Sequence, residues 1–175
     1  MAFKRSTAKK IAVMSLLTGL SLIMFIVENL LPPLFIPGAK LGLSNIFSFA
    51  ALILYSPWEA FAVLIARTLL GAVFAGNLSA LLYSFTGGVV SMAVSAVLIK
   101  TVYPKVSVMA ISVAAAVLHN ITQNIVFVFL TGSALMFGYM PYLALLGVFS
   151  GAVVGGITLT VFKGVPTKVF EKITT

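Results

Sequence analysis

Acidic side chains are nearly absent from this chain of 175 residues, which has no aspartate and only three glutamates, Glu28, Glu59 and Glu171. Charged residues make up 8% of the sequence and hydrophobic residues 61%. Soluble domains carry about 25% charged residues, so a water-soluble fold of this size has no place for so much apolar surface. The composition excludes a soluble protein and predicts that lipid surrounds most of the chain.

Cysteine is also absent, which excludes disulfides and thiolate metal sites. The sequence has no Gly-x-x-x-x-Gly-Lys-Ser/Thr phosphate loop, so we expect no ATP or other cofactor in this chain. The formal net charge is +8, but nucleic-acid binding requires basic residues clustered on a water-facing domain. The connections between apolar runs are too short to form one, so we expect no nucleic-acid partner.

Six apolar runs fill the sequence, at about 11–31, 41–55, 58–75, 78–99, 106–130 and 141–162. At ~1.5 Å per residue, the first run covers a hydrocarbon core of roughly 30 Å. Lipid offers no partners to backbone groups, so only helices or closed barrels cross it, and these runs are too long for barrel strands. The pattern predicts an all-α integral membrane protein, with six transmembrane helices in a single membrane domain.

The distribution of lysine and arginine indicates the orientation. With the N-terminus in the cytoplasm, nine of the eleven basic residues lie inside: Lys4, Arg5, Lys9, Lys10, Lys100, Lys105, Lys163, Lys168 and Lys172. Only Lys40 then lies in an outer loop, and Arg67 lies within the third run. The positive-inside rule therefore places both termini in the cytoplasm, and we expect a bacterial cytoplasmic (inner) membrane. A cleaved signal peptide is the alternative for the first run, but that run exceeds the usual apolar length and leads into Pro32-Pro33.

Small residues recur at helical spacing in three of the runs. They are Ala8, Ala12, Ser15 and Gly19 in the first; Gly87, Gly88, Ser91 and Ser95 in the fourth; and Gly147, Gly151 and Gly155 in the sixth. Small side chains let helix backbones approach closely within the bilayer. Each stripe predicts a packing face inside the bundle. For Ala8 and Ala12 there is a second interpretation, a docking face for a partner protein.

Polar residues inside the apolar runs are the main functional signal, because a charge at the bilayer centre costs about 2.5 kcal/mol or more. The strongest candidates are Glu28, Asn45, Arg67, His119, Asn120 and Gln123, with Lys40, Asn29, Asn77 and Asn124 nearby. In the predicted topology all lie in the middle or outer half of the membrane. The inner half carries little beyond hydroxyls. This predicts an outward-facing pocket with a sealed floor.

Structural roles are the alternative for these residues. His119 and Gln123 share one helix face, and Asn120 and Asn124 repeat the i, i+4 spacing on a neighbouring face. Such side chains either bind a ligand or cross-link helices. Each interhelical hydrogen bond of this kind stabilises a bundle by about 0.6 to 2 kcal/mol. Arg67 either binds a ligand or forms an ion pair with Glu28. The spacing alone leaves both interpretations open.

The first outer connection, residues 30–45, contains three prolines and two glycines yet stays apolar, which predicts a structured lid over the bundle. Lys40 would lie at the pocket mouth. Together with Arg67 it favours a ligand that carries a carboxylate or phosphate. Aromatic residues are available to hold an apolar body of that ligand, namely Phe35, Phe47, Phe49, Phe74 and Tyr83.

Three stretches resemble one family: Pro-Gly-Ala-Lys-Leu-Gly-Leu-Ser-Asn at 37–45, Tyr-Ser-Phe-Thr-Gly-Gly at 83–88 and His-Asn-Ile-Thr-Gln at 119–123, with Arg67 between them. The chain resembles the Gx transporter family, whose members are often labelled heptaprenyl diphosphate synthase component I. That family is similar to the substrate-binding S components of energy-coupling-factor (ECF) transporters. The resemblance implies a six-helix bundle that captures a small molecule outside and associates with a coupling subunit and two ATPases, which use the ATP. It also implies that Ala8 and Ala12 form the docking motif of the first helix.

The synthase activity in the family's label is incompatible with the amino-acid composition of this chain. Prenyl synthases hold magnesium ions through aspartate-rich motifs, because carboxylate oxygens suit that cation, and this chain has no aspartate. We therefore expect no enzyme activity. The leading hypothesis is an S component for an anionic, vitamin-like or quinone-precursor-like ligand, bound by Lys40, Asn45, Arg67, His119, Asn120, Gln123 and Glu28.

Two other hypotheses remain. One is a noncatalytic membrane accessory subunit of heptaprenyl diphosphate or menaquinone biosynthesis. The other is an ion-coupled carrier, which would need a titratable relay across the membrane. Only Glu28 and His119 are candidates for that relay, and both lie on one side of the inner barrier.

Overall fold

The computed structural model describes residues 7–30, 42–76 and 78–162. Within these ranges the chain is all-helical, as predicted, and contains no strand. The helices are α1 (Thr7–Leu30), α2 (Asn45–Leu54), α3 (Pro57–Ala75), α4 (Leu78–Val102), α5 (Val108–Thr131) and α6 (Met140–Phe162), with a 3₁₀ helix at Ala134–Tyr139 between α5 and α6. The predicted lid at 30–45 lies largely outside the described residues.

Local sequence signals explain where two of the long helices begin and end. α3 begins at Pro57, where the missing backbone N–H costs nothing because the first turn has no partner for it. α5 begins after Ser107, whose Oγ accepts a hydrogen bond from the N–H of Ala110 at 3.1 Å. It ends at Gly132, whose φ of +66° places it in the left-handed region that glycine adopts without steric cost.

Among the described residues, five helical segments are long and apolar enough to cross a membrane, whereas the apolar runs predict six spans. The exception is α2, whose ten residues cover about 15 Å, half of a roughly 30 Å hydrocarbon core. The apolar run begins at residue 41, but the helix begins only at Asn45, because residues 42–44 form a turn. Hydropathy detected the segment correctly and overestimated its helical length.

Large apolar side chains cover the outside of the bundle. Trp58 is 83% exposed, Phe129 80% and Val73 78%. No more than 33% of the residues in any spanning window are buried. An exterior of this kind is stable in hydrocarbon and not in water, so the chain is a multi-pass membrane protein.

The short helix α2 lies inside the bundle rather than on its surface. Residues 48–53 are all buried, and α2 contacts α1, α3, α4 and α6. The apolar core forms around its C-terminal half, from fully buried side chains on four helices: Leu52, Ile53, Leu64, Ile99 and Ile111. The N-terminal half of α2 carries the polar residues described below.

Glycines on α6 allow it to pack directly on the backbone of α5. A Cβ added at Gly151 would lie 2.5 Å from Val113 Cα, and one at Gly147 would lie 2.7 Å from Val117 Cα. Gly155 meets Met109 in the same way, at 2.9 Å. This confirms the interpretation of the sixth-run stripe as a packing face.

The stripe on α1 has a different environment. Ala8, Ala12, Ser15 and Gly19 are all exposed, and nothing lies within 4 Å of a Cβ built on Gly19. The opposite side of α1 contacts α2 and α3. The stripe therefore takes no part in packing within the described chain.

An ion pair joins α1 and α3 at one end of the bundle. Lys10 Nζ pairs with a carboxylate oxygen of Glu59, whose other oxygen accepts a hydrogen bond from Ser56. The same ammonium lies 5.9 Å from the ring centroid of Tyr55. The N-terminal ends of α1 and α3 thus lie side by side.

Substitution of Gly151 by alanine should destabilise the bundle by about 1–3 kcal/mol, because the new methyl group meets backbone atoms that cannot rotate away. The matched control is Gly19→Ala, which adds the same methyl group on an exposed helix face. Unfolding in mixed micelles, followed by circular dichroism, measures both changes. Equal effects of the two substitutions would contradict the close α5–α6 contact.

Candidate ligand-binding site

Arg67 on α3 is hydrogen-bonded to the first residues of α2. Its side chain is 4% exposed. Nη1 donates to Ser44 Oγ at 2.6 Å, and Nη2 donates to Asn45 Oδ1 at 3.0 Å. Because hydrogen bonds to a charged donor are roughly twice as strong as neutral ones, the guanidinium fixes this end of α2 against α3.

Residues from α1 hold the same turn from the other side. Glu28 Oε1 accepts a hydrogen bond from the backbone N–H of Leu43 at 2.9 Å. Ser21 Oγ donates to the carbonyl of Ser44 at 2.7 Å. Gly42, which opens the turn, has φ of +69°, a conformation that favours glycine. The Gly-Leu-Ser-Asn part of the first motif is thus the anchor of α2.

Arg67 and Glu28 do not form the direct ion pair that the sequence left open as one of two roles for Arg67. The carboxylate attracts the guanidinium electrostatically, but the two groups are not within ion-pair distance. Glu28 is 8% exposed, and both Glu28 Oε2 and Arg67 Nε are buried without a hydrogen-bond partner. A carboxylate at the N-terminus of α2 is also stabilised by the helix dipole.

A cavity lies beside this anchor, between α2, α4, α5 and α6. Its polar lining comes from Asn45, His119, Asn120 and four serines, Ser91, Ser95, Ser112 and Ser150. Glycine and apolar side chains complete it, namely Gly42, Phe49, Gly88, Met92, Ala115, Ala116 and Val154. On α5 the lining extends from Ser112 to Asn120, a distance of about 12 Å along the helix.

The cavity is narrow. It encloses about 490 Å³ of space not occupied by atoms, its opening included, but only about 30 Å³ admits the centre of a water molecule. That is room for about two waters, since one requires ~10–15 Å³ on this measure. A larger ligand would need the surrounding side chains or helices to move apart.

The structure divides the predicted binding residues into two groups. Asn45, His119 and Asn120 line the cavity, whereas Arg67 and Glu28 belong to the anchor of α2. Asn45 is common to both, because Arg67 holds its side chain. Lys40 lies outside the described residues, as do Asn77 and the side chain of Asn29.

The remaining amides on α5 lie beside the cavity. Gln123 is buried where α4 and α5 cross, and a Cβ on Gly87 would lie 2.7 Å from its Cγ. Asn124 donates to the carbonyl of Met136 in the 3₁₀ helix at 3.2 Å. Asn124 therefore has the cross-linking role that was considered for it.

Of the aromatic candidates, Phe49 lines the cavity and Phe74 is exposed on the outside of α3. Tyr83 packs edge-on against Phe127 of α5, with 6.2 Å between ring centroids. Phe47 is half-buried and does not line the cavity, and Phe35 lies outside the described residues. The apolar wall is therefore made of fewer aromatic residues than expected.

Sequence reasoning missed the serines as lining residues. Ser91 and Ser95 were interpreted as part of a packing stripe, and Ser112 and Ser150 were not selected. A signal was present, because Ser112, Ala116, His119 and Asn120 share one face of α5. The cavity therefore extends further along α4 and α5 than the polar amides alone indicated.

These features define a class: an α-helical multi-pass membrane protein with a buried polar cavity between its helices. The family model for heptaprenyl diphosphate synthase component I matches residues 17–161, well over half of the chain. The chain belongs to that family, as its motifs predicted. Comparisons with curated proteins and with solved structures give no match.

Removal of the Arg67 charge alone should destabilise the protein strongly. Arg67→Met removes two hydrogen bonds from a charged donor, which contribute about 1.5–3 kcal/mol each, and also removes the positive charge that attracts the buried Glu28 carboxylate. The double variant Arg67→Met/Glu28→Gln removes both charges and keeps an acceptor for the Leu43 N–H. It should be at least about 1 kcal/mol more stable than Arg67→Met, as measured by unfolding in micelles. If the loss of stability in the double variant equals the sum of the losses in Arg67→Met and Glu28→Gln, the two side chains are not electrostatically coupled.

Proposed function

We propose that this protein is the substrate-binding S component of an ECF-type uptake transporter in a bacterial cytoplasmic membrane. The observation that carries the proposal is the cavity, which is lined by hydrogen-bonding side chains from four helices inside an apolar bundle. Buried polar groups are costly in lipid, so such a concentration of them favours a ligand site over a purely structural role.

The exposed stripe on α1 supports association with a membrane partner. Ala8, Ala12 and Gly19 present little side-chain volume, so a partner helix can approach the α1 backbone closely. Docking of a coupling subunit here would leave the cavity, on the other side of α2, unobstructed. ATP would be used by two partner ATPases, and this chain would contribute no cofactor and no enzymatic step.

The proposed ligand is small, and a vitamin-like or quinone-precursor-like molecule would bind only after the narrow cavity has widened. The positive charge of Arg67 is partly offset by Glu28, and the guanidinium is used in anchoring α2. The expectation of an anionic ligand therefore depends on Lys40, in the connection that leads into α2. Asn45, at the start of α2, lines the cavity and would bind the ligand there.

The second candidate is a noncatalytic accessory subunit of a prenyl diphosphate synthase, which the description of the family favours. We propose no catalytic role for it, because the chain has no aspartate to hold the magnesium ions that bind a diphosphate. In this role the cavity would hold a lipid-like ligand or none. The two candidates differ in the partner that each requires.

Affinity purification of the tagged protein from native membranes distinguishes the two. The transport proposal predicts copurification of a membrane coupling subunit with two ATPases. Copurification of a soluble prenyl synthase, with no ATPase, would contradict transport and support the accessory role.

A leucine at position 12 tests the docking face. Ala12→Leu should reduce recovery of the ATPase partners by about tenfold or more, because the larger side chain separates the helix backbones. Ala93→Leu, at an exposed position on α4, is the matched control and should leave recovery unchanged. Equal recovery with both variants would remove the α1 stripe from the docking face.

A further inference from the structure

The orientation of the Asn45 amide is fixed by its neighbour. An arginine side chain can only donate hydrogen bonds, so the atom of Asn45 that faces Arg67 Nη2 at 3.0 Å must be the oxygen. The amide nitrogen is then turned away from Arg67. It lies against Gly42, 3.0 Å from the position that a Cβ would take, and both residues line the cavity. Within the described chain, no acceptor bonds to this nitrogen.

The Asn120 amide is fixed in the opposite sense. Its side chain bonds to the carbonyl oxygen of Leu143 at 3.0 Å, and a carbonyl can only accept. The atom that faces Leu143 must therefore be the nitrogen. The oxygen of Asn120 has no donor among the described residues, and Asn120 lines the cavity. The wall of the cavity on α2 thus offers N–H donors, and the wall on α5 offers a carbonyl acceptor.

No charged side chain helps to neutralise a ligand within the described lining. Lysine, arginine and glutamate are absent from it, and its other polar groups are the four serine hydroxyls and His119. Recognition inside the cavity therefore depends on the direction of hydrogen bonds. A site built in this way rejects analogues that leave its buried polar groups unpaired.

We propose that the cavity selects a compact ligand with an acceptor oxygen, from a carbonyl or carboxylate, that binds Asn45 and a hydroxyl or N–H donor that binds Asn120. This inference rests on the proposed function, since it specifies the substrate class of the same cavity. Arg67 is then a positioning residue. It determines which face of the Asn45 amide the ligand meets.

A series of ω-hydroxycarboxylic acids of increasing chain length provides the probes, because it spans any separation of the two amides. Each acid is compared with the isosteric alkanoic acid, in which a methyl group replaces the hydroxyl. Isothermal titration of the detergent-purified protein measures both affinities. At the best length, the hydroxy acid should bind about tenfold or more tightly than its methyl counterpart. Equal affinities, or no binding by any hydroxy acid, would overturn the proposal.

Asn45→Asp tests the contact between Asn45 and the ligand. The aspartate still accepts from Arg67, but it replaces the donating NH₂ with a second oxygen, which repels a carboxylate. Affinity for the best hydroxy acid should fall about tenfold or more. The control is Thr131→Asp, which adds a carboxylate at the exposed C-terminal end of α5, outside the cavity, and should leave that affinity unchanged; equal losses in both variants would overturn the proposal. If Asn45→Asp does not fold, the comparison of hydroxy acids with their methyl counterparts on the unaltered protein still tests the proposal.

The outcome is separable from that of the proposed function. Failure to recover ATPase partners would overturn the transport role and leave the selectivity of the cavity intact. Loss of the hydroxyl preference would overturn the inference about selectivity, whichever partners the protein has.

Discussion

The fixation of α2 by Arg67 is the interaction on which the arrangement of the other helices depends. A helix of ten residues cannot span a hydrocarbon core, so an end that lies within the core must be satisfied by protein rather than by water. Arg67 from α3 and Glu28 and Ser21 from α1 bond to the turn at its start. The cost of burying a guanidinium in lipid is thereby offset by hydrogen bonds and by a nearby carboxylate.

This anchoring explains why a cavity forms at all. Because α2 is short and lies inside the bundle, its N-terminal half leaves space between itself and α4, α5 and α6. Glycines keep the contacts between the long helices close: Gly88 of α4 packs against Leu64 of α3, and Gly151 of α6 packs on the backbone of α5. The second and third family motifs, at 83–88 and 119–123, meet where α4 crosses α5, at Gly87 and Gln123. The described parts of the three motifs therefore all line or adjoin the cavity.

Much of the fold could be predicted from the sequence. The long apolar runs gave five helices with errors of a few residues, because hydrophobic length is a strong constraint in a membrane. α2 was assigned a full span, since hydropathy does not distinguish a buried internal helix from a short crossing. The rare polar residues were found because amides and charges are costly in lipid. Which of these polar residues anchor α2 and which line the cavity depends on three-dimensional contacts, and the spacing of residues in the sequence does not specify those contacts.

The serines were missed for a physical reason. Hydroxyl side chains in helices commonly donate to the carbonyl four residues earlier, as those of Thr68 and Ser95 do at 2.7 and 2.9 Å. A hydroxyl that is satisfied within its own helix carries little cost in lipid, so its presence is a weak sign of function. An amide such as Asn120, by contrast, has more polar atoms than its own helix can satisfy.

The central claim is that the cavity holds a small molecule, and native mass spectrometry of the detergent-purified protein tests it most directly. The unaltered protein should retain a bound small molecule. Ala115→Leu, which places a larger side chain in the cavity wall, should retain far less of it, while Ala93→Leu on the outside of α4 should retain as much as the unaltered protein. Equal retention by the two variants, or no retained molecule in the unaltered protein, would contradict the account.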